Sequence, residues 1–366
     1  LFAPNFFTQS LFIFFGLGLI TALANSVKEI SLADFSKFRV FIFFVVLIIF
    51  ITGIFAGIFM AGKKYIGLVY YDKALRSSQA GDFDSALMNL DKAGRMDPGQ
   101  DQYFRDFSQL LLLRVDALAR QATDDLSAEG LRLEIQNTAA AAIQTASQAA
   151  KINSIDFLNW SNLGNVYERL MFVVVGADSF AEENYQKAMA LNPNNPHEPV
   201  NLARSFLTAA GLVGEKDANL RQEKLDKAKN YLVKSISLKA DYAPAYFLFA
   251  AIAMREGKIP EAIQMLELTQ QLAPFDAGLN FQLGIIYYQD NQLNKAKLEF
   301  QKAVGNNPKH SNTRYFLGLI YDQLGNKAGA LDQFKIVAEL NPDNAEVKKI
   351  IKNLQNGQPA LEGLIK

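Results

Sequence analysis

The sequence has no cysteine, one tryptophan (Trp160) and two histidines (His197 and His310) in 366 residues. The missing cysteine excludes disulfide staples, thiolate nucleophiles and cysteine zinc sites. Two histidines in separate segments leave almost nothing for imidazole chemistry. Neither sign of charge is in excess, with 37 Lys+Arg against 37 Asp+Glu. A broad nucleic-acid-binding surface would need surplus Lys and Arg, so that class is excluded. There is also no phosphate-binding Gly-x-x-x-x-Gly-Lys, no Gly-x-Ser-x-Gly elbow and no His-Glu-x-x-His. Gly16-Leu-Gly18 lacks the third glycine of a dinucleotide fingerprint and lies in an apolar run. The two histidines follow Pro196 and Pro308 closely, which places them in turns, where solvation is the ordinary role. The acid pairs Asp124-Asp125 and Glu182-Glu183 read as solvated helix ends or faces. Asn159-Trp160-Ser161 fits a glycosylation sequon, but Trp160 is expected to be buried, which makes the match coincidental. No metal, cofactor or catalytic set is expected of this segment.

What is present is unevenly spread. Residues 1–62 hold 14 of the 28 Phe but only Lys28, Glu29, Asp34, Lys37 and Arg39 as charged side chains. Two uncharged apolar stretches, about 6–24 and 40–62, are separated by the short loop 25–39. A helix needs about 20 apolar residues to cross a bilayer, and its backbone must satisfy itself internally there. The expectation is a transmembrane hairpin contacting lipid through residues 6–62. Ala22-Leu23-Ala24 resembles a signal cleavage site, but no basic region precedes it. The opening Leu suggests a longer protein. Three basic residues in the loop against four in 63–77 hardly decide orientation.

The other 304 residues are ordinary in charge and repetitive. Pro274, Pro308 and Pro342 are spaced by 34, as are Ala262, Ala296 and Ala330; Leu266, Phe300 and Phe334; and Ala250, Gly284 and Gly318. These define units 243–276, 277–310 and 311–344. Upstream, Trp160-Ser-Asn-Leu163-Gly164-Asn-Val-Tyr167 opens unit 157–195, which continues through Ala181, Tyr185, Ala188 and Pro193. Units 67–100, 101–156 and 196–242 are more divergent. The last is read as carrying 13 extra residues between its helices. Small residues suit a close helix approach, large ones fill the remaining space, and Pro stops the second helix. Ala345–Gln355 places Val347, Ile350, Ile351 and Leu354 at helical spacing, with the other face charged. It reads as a capping helix within the closing stretch 345–366.

The 34-residue period and the W-x2-L-G-x2-Y segment resemble the tetratricopeptide (TPR) repeat family. The fold expected is all-α: an N-terminal transmembrane helical hairpin followed by a right-handed TPR α-solenoid over 63–344. The resemblance implies that the first helix of each unit lines a concave groove for a protein or peptide partner. The family's groove positions, carried onto this sequence, include Asn165 and Arg169, then Arg204, Phe247 and Arg255, Phe281 and Tyr288, and Tyr315, with Asn201 beside them at position 6 of its unit. Leu319 and Asp322 also fall on that face in the last unit. The groove reads as polar and partly basic in the middle and aromatic toward its end, which suits an extended peptide or a helix. Asn165 and Asn201 resemble the paired asparagines of peptide-binding TPR domains, whose amides can both donate and accept. The basic positions of a carboxylate clamp are Ser161, Pro244 and Leu248 here, against that mode.

The Phe-rich opening Leu1–Phe7, the second span, Tyr70–Leu75 and segment 160–196 with its apolar insert Met171–Val175 also resemble the C-terminal part of bacterial O-antigen ligase/polymerase-like membrane proteins bearing a TPR tail. That resemblance implies a bacterial plasma-membrane protein with an extracytoplasmic body and a catalytic region upstream. The family's catalytic loop has no counterpart here.

Overall fold

The computed structural model describes residues 37–124, 129–214 and 217–364. Among the described residues there are fifteen helices and no strands. The chain divides into two compact units, Leu1–Val69 and Tyr70–Lys366. The span expected at 6–24 lies outside the described residues, as does most of the loop after it.

Helix α1 (Lys37–Gln79) is 43 residues long. Its apolar part is exposed rather than packed, with Ile49 65%, Phe55 68% and Phe59 64% exposed. Among the described residues it is the one helix long and apolar enough to cross a membrane. The sequence reading separated span 40–62 from a first repeat unit beginning at 67. The helix instead runs unbroken from Lys37 to Gln79. Residues 62–79 contain no proline, so nothing forces a break there.

In the second unit the helices pair. They are α2 (Phe83–Met96), α3 (Asp101–Asp124), α4 (Glu129–Ile152), α5 (Phe157–Arg169), α6 (Ala177–Leu191), α7 (His197–Leu212), α8 (Ala218–Leu238), α9 (Ala243–Arg255), α10 (Ile259–Leu272), α11 (Ala277–Gln289), α12 (Leu293–Asn306), α13 (Ser311–Gln323), α14 (Lys327–Leu340) and α15 (Ala345–Gln355). From α3 onward each odd-numbered helix packs on the following even one, and that one on the next odd one. This is the solenoid arrangement expected.

The packing explains the period. Ala262, Ala296 and Ala330 are each fully buried, with Leu266, Phe300 and Phe334 one turn further on and nearly or fully buried. A Cβ placed on Gly284 would lie 2.5 Å from the Phe300 ring, and one on Gly318 would lie 2.7 Å from the Phe334 ring. Glycine is therefore required where the first helix meets the aromatic ring of the second. Gly164 stands in the same relation to Tyr185, at 2.9 Å. The turn between the helices uses a left-handed residue: Gly257 (φ 73°), Asn291 (φ 57°) and Gly325 (φ 81°), again 34 apart. Asn is the L-residue that enters this region most readily. After three of the second helices the turn ends in a residue whose side chain caps the next helix. Asp156 accepts from the Leu158 amide, Asp276 from Leu279 and Asn344 from Val347.

The divergent units add length in different places. In 101–156 both helices have 24 residues. In 157–195 the turn between helices grows to Leu170–Gly176. In 196–242 the extra residues do not sit between the helices, as the sequence reading had it. Helices α7 and α8 are instead lengthened to 16 and 21 residues around a connection at 213–217. The reason is burial: Phe206, Ala209 and Ala210 on α7 and Leu225, Ala228 and Leu232 on α8 all need cover, and further helical turns supply it.

A candidate binding groove

The groove positions lie on α5, α7, α9, α11 and α13, the first helices of successive pairs. Their side chains are in very different states.

The middle of the groove is a bonded polar network. Arg204 on α7 grips Glu168 on α5 through two bonds, Nε to Oε1 at 2.9 Å and Nη2 to Oε2 at 3.2 Å. The Tyr185 hydroxyl, on α6, donates to the same carboxylate at 2.7 Å. Glu168 is 6% exposed and Tyr185 fully buried. Burial, followed by the charge of Glu168, pushes the Tyr185 hydroxyl well above its usual pKa. Burial works against the charge on Arg204, but its bonds to Glu168 outweigh this and hold it above the ordinary guanidinium value. Two-point pairing of this kind fixes the guanidinium plane as well as its charge. Arg169, at the end of α5, is paired with Asp116 of α3. Asn201 is 4% exposed, and its amide nitrogen has only long contacts of 3.4 Å, to Ser161 and Glu198. Asn165 is half-buried; its oxygen accepts from Gln109 Nε2 at 3.3 Å, and its side chain also meets the Tyr185 hydroxyl.

Sequence position puts Arg169, Arg204 and Arg255 alike on the groove face, and the structure separates them. Arg169 and Arg204 are committed to carboxylates of this chain. Arg255 is exposed, and its guanidinium lies over Gly211 of α7, where a Cβ would come within 2.6 Å of Nη1. Phe247, on the same helix as Arg255, is 37% exposed.

The aromatic end is a packed cluster. Phe316 stacks on Phe300 at 5.7 Å and receives the edges or faces of Phe281 (6.0 Å), Tyr288 (5.9 Å) and Tyr315 (5.8 Å). Phe281 also meets His310 at 5.1 Å. The Tyr315 hydroxyl donates to Glu346 at 2.7 Å, and Gln323 donates to Tyr288 at 2.9 Å. Burial first, then Glu346, raises the Tyr315 pKa. Phe281, Tyr288 and Tyr315 are therefore half-buried parts of the fold as well as groove positions.

The sequence reading missed a polar seam between α3 and α5. Arg105 donates to Asn159 at 2.8 Å, Gln109 to Asn162 at 2.5 Å, and Asn162 to Ser108 at 2.9 Å. Its trace was the row Asn159, Asn162, Asn165 and Arg169 on one helix face. The partners on α3 were hidden because that unit carries little of the repeat pattern. Asn159 is fully buried, and Trp160 is only half-buried with its indole nitrogen donating to the Ser154 carbonyl. Burial of the asparagine, rather than of Trp160, closes the sequon. The histidines are not simply solvated: His197 meets the Tyr242 hydroxyl at 2.9 Å, and His310 is bonded to Thr313. Among the described residues no three His, Asp or Glu converge as a metal site. Beside the groove-forming helices, the 170–176 insert and the end of α7 enclose a hollow of about 360 Å³, lined by Met171, Val174, Leu212 and Leu220.

The tetratricopeptide repeat family model matches residues 277–310 and 311–344. Those are two of the units defined by the 34-residue spacing. No curated protein matches the chain. Among solved structures, it is similar to a tetratricopeptide repeat protein from Parabacteroides merdae at 14% identity, over 80% of this chain and 100% of that one, with a TM-score of 0.47. It is also similar to YrrB, described as a TPR protein with an unusual peptide-binding site, at 18% identity over 57% and 99%, with a TM-score of 0.39. A third is MamA from Desulfovibrio magneticus RS-1, at 22% identity over 51% and 97%, with a TM-score of 0.38. All three scores lie below 0.5 and carry no function across.

Proposed function

We propose that this chain is a membrane-anchored TPR scaffold that holds a protein or peptide partner in the groove formed by its first helices. One observation carries the reading. Phe247 and Arg255 remain accessible on α9, beside a network in which every other groove arginine is already bonded. An accessible apolar ring and an accessible guanidinium, eight residues apart on one helix, supply the two features that hold an extended segment, apolar anchoring and a charged hydrogen bond. Asn165, half-buried on α5, adds an amide that can donate and accept.

The anchor is the exposed apolar part of α1. Its uncharged stretch, Val40–Gly62, has 23 residues, or about 35 Å of helix, enough for a hydrocarbon core of about 30 Å. We place the body outside the cytoplasm, with protease accessibility in intact cells as the check. The alternative reading, the non-catalytic tail of a glycan ligase, has one structural support. The insert it rests on leaves Val175 98% and Phe172 54% exposed, which repeat packing does not require. An upstream coding run of further spans would favour it, and an initiator Met within a few codons of Leu1 would sink it.

The groove test combines the accessible Phe247 and Arg255 with the half-buried Asn165. Phe247→Ala, Arg255→Ala and Asn165→Ala are combined in the full chain, and partners are captured from solubilised membranes. Loss of partners with unchanged cooperative unfolding supports the reading. Recovery of the same partners by wild type and variant overturns it.

A further inference from the structure

The segment after α15 turns back on the solenoid through the left-handed Gly357 (φ 75°). It is then bonded through its backbone by four side chains. Asp322, at the end of α13, accepts from the Ala360 amide at 2.7 Å. Lys327, at the start of α14, donates to the Gln358 carbonyl at 2.8 Å. Asn353 on α15 donates to the Ala360 carbonyl at 3.1 Å and to that of Glu362 at 2.9 Å. Lys349 donates to the Gly363 carbonyl at 2.5 Å. Asp322 and Lys327 are themselves paired at 2.9 Å, so the amide acceptor and carbonyl donor are held together. Five bonds thus reach one short segment, and none goes to one of its side chains.

The apolar contacts are equally selective. Ala360 is 1% exposed, while Leu361 and Leu364 pack partly buried against the cluster of Leu319, Phe334, Ile350 and Leu354. Asp322 and Leu319 are groove-face positions of the last unit, and here the chain itself occupies them.

We propose that Asp322, Lys327, Lys349 and Asn353 form a peptide-reading site at this end of the solenoid, and that residues 357–364 are its ligand in cis. This goes beyond the groove reading and uses none of the residues tested there. The site reads one amide and four carbonyls, a pattern an extended or turned backbone supplies whatever its side chains. Selectivity comes from the Ala360 position, which admits only a small side chain. Pro359 has no amide to leave unpaired beside it. The tethered segment holds the site at an effective concentration in the millimolar range, so a free segment competes only when the tether is disabled.

The test keeps the full chain. Ala360→Arg cannot place its side chain in the closed position and so clears the site. A dye-labelled peptide of residues 357–364 is then titrated and followed by fluorescence anisotropy. Saturable binding is expected to the Ala360→Arg chain and none to wild type below the millimolar range. A peptide N-methylated on the Ala360 amide is expected to bind at least about tenfold more weakly, since it loses a hydrogen bond to a charged acceptor. Asp322→Ala added to Ala360→Arg is expected to do the same. Equal binding of the methylated peptide, or no binding by a cleared chain of unchanged helicity, overturns the proposal. Amide exchange on wild type provides a second arm should the cleared chain not fold. The Ala360 amide is expected to be protected, and to lose protection in Asp322→Ala. Exchange in wild type at the free-peptide rate overturns the proposal as well.

Discussion

Replacing Gly284 by alanine is expected to destabilise the chain, although alanine is the better helix former. In an open helix site the exchange gains up to about 1 kcal/mol. Here the new Cβ would meet three atoms of the Phe300 ring at 2.5, 2.6 and 2.8 Å. The ring is fully buried and hemmed in by Phe281 at 5.8 Å and Phe316 at 5.7 Å, so it has no free direction of movement. Overpacking of this kind costs typically about 1–3 kcal/mol. The helix gain offsets part of that, leaving a net loss of about 1–2 kcal/mol. Gly305 in α12 is the control: a Cβ there meets nothing within 4 Å. Gly305→Ala is expected to stabilise by up to about 1 kcal/mol. Urea unfolding in detergent, followed by far-UV circular dichroism, measures both. Phe300→Leu should restore part of the Gly284→Ala loss by opening space. A Gly284→Ala chain as stable as wild type would refute the argument that glycine is there to admit the ring.

Two further outcomes follow from the ionic contacts. Burial alone would raise the Glu256 pKa, but hydrogen bonds from Lys229, Lys258 and Gln222 hold it at about 2. Because the folded value lies below the unfolded one of about 4.3, this contribution is present above about pH 5 and lost as pH falls toward 2. With the partly exposed lysines screened by solvent, it is worth about 1 kcal/mol. Glu256→Gln is expected to flatten the stability profile between those values, as read from urea midpoints against pH. Glutamine at position 168 keeps one acceptor oxygen but removes the charge that pairs with Arg204, and turns an NH2 donor toward either Arg204 or the buried Tyr185 hydroxyl. Glu168→Gln is expected to cost about 2 kcal/mol, less than a fully buried pair because the Arg204 side chain is 40% exposed. An unchanged unfolding midpoint would show that the network is replaced by water at no cost.

The groove shows why site residues were harder to read than the fold. Phe281 and Tyr288 were natural choices for a partner-capture variant on sequence grounds. Their rings are packed around Phe316, so truncating them perturbs the fold together with any binding. Phe247 sits at the same unit position as Phe281, 34 residues earlier, yet remains accessible. Position within a repeat predicts which helix face a residue occupies. It does not predict whether a neighbour already holds that residue.

The sequence by itself determined the helical pairs, their 34-residue spacing, the capping helix and the apolar character of residues 40–62. These follow from local rules: small residues opposite large ones, proline after a helix, and apolar runs of sufficient length. Where the pattern faded, so did legibility, as in the lengthened helices α7 and α8. Only the tertiary structure decided which groove side chains are free, that α3 and α5 share a polar seam, and that Ala360 is held by Asp322. The seam and the Asp322–Ala360 contact join residues 38 to 54 positions apart. Such pairings depend on how one repeat is rotated against the next, and no periodicity along the chain encodes that angle.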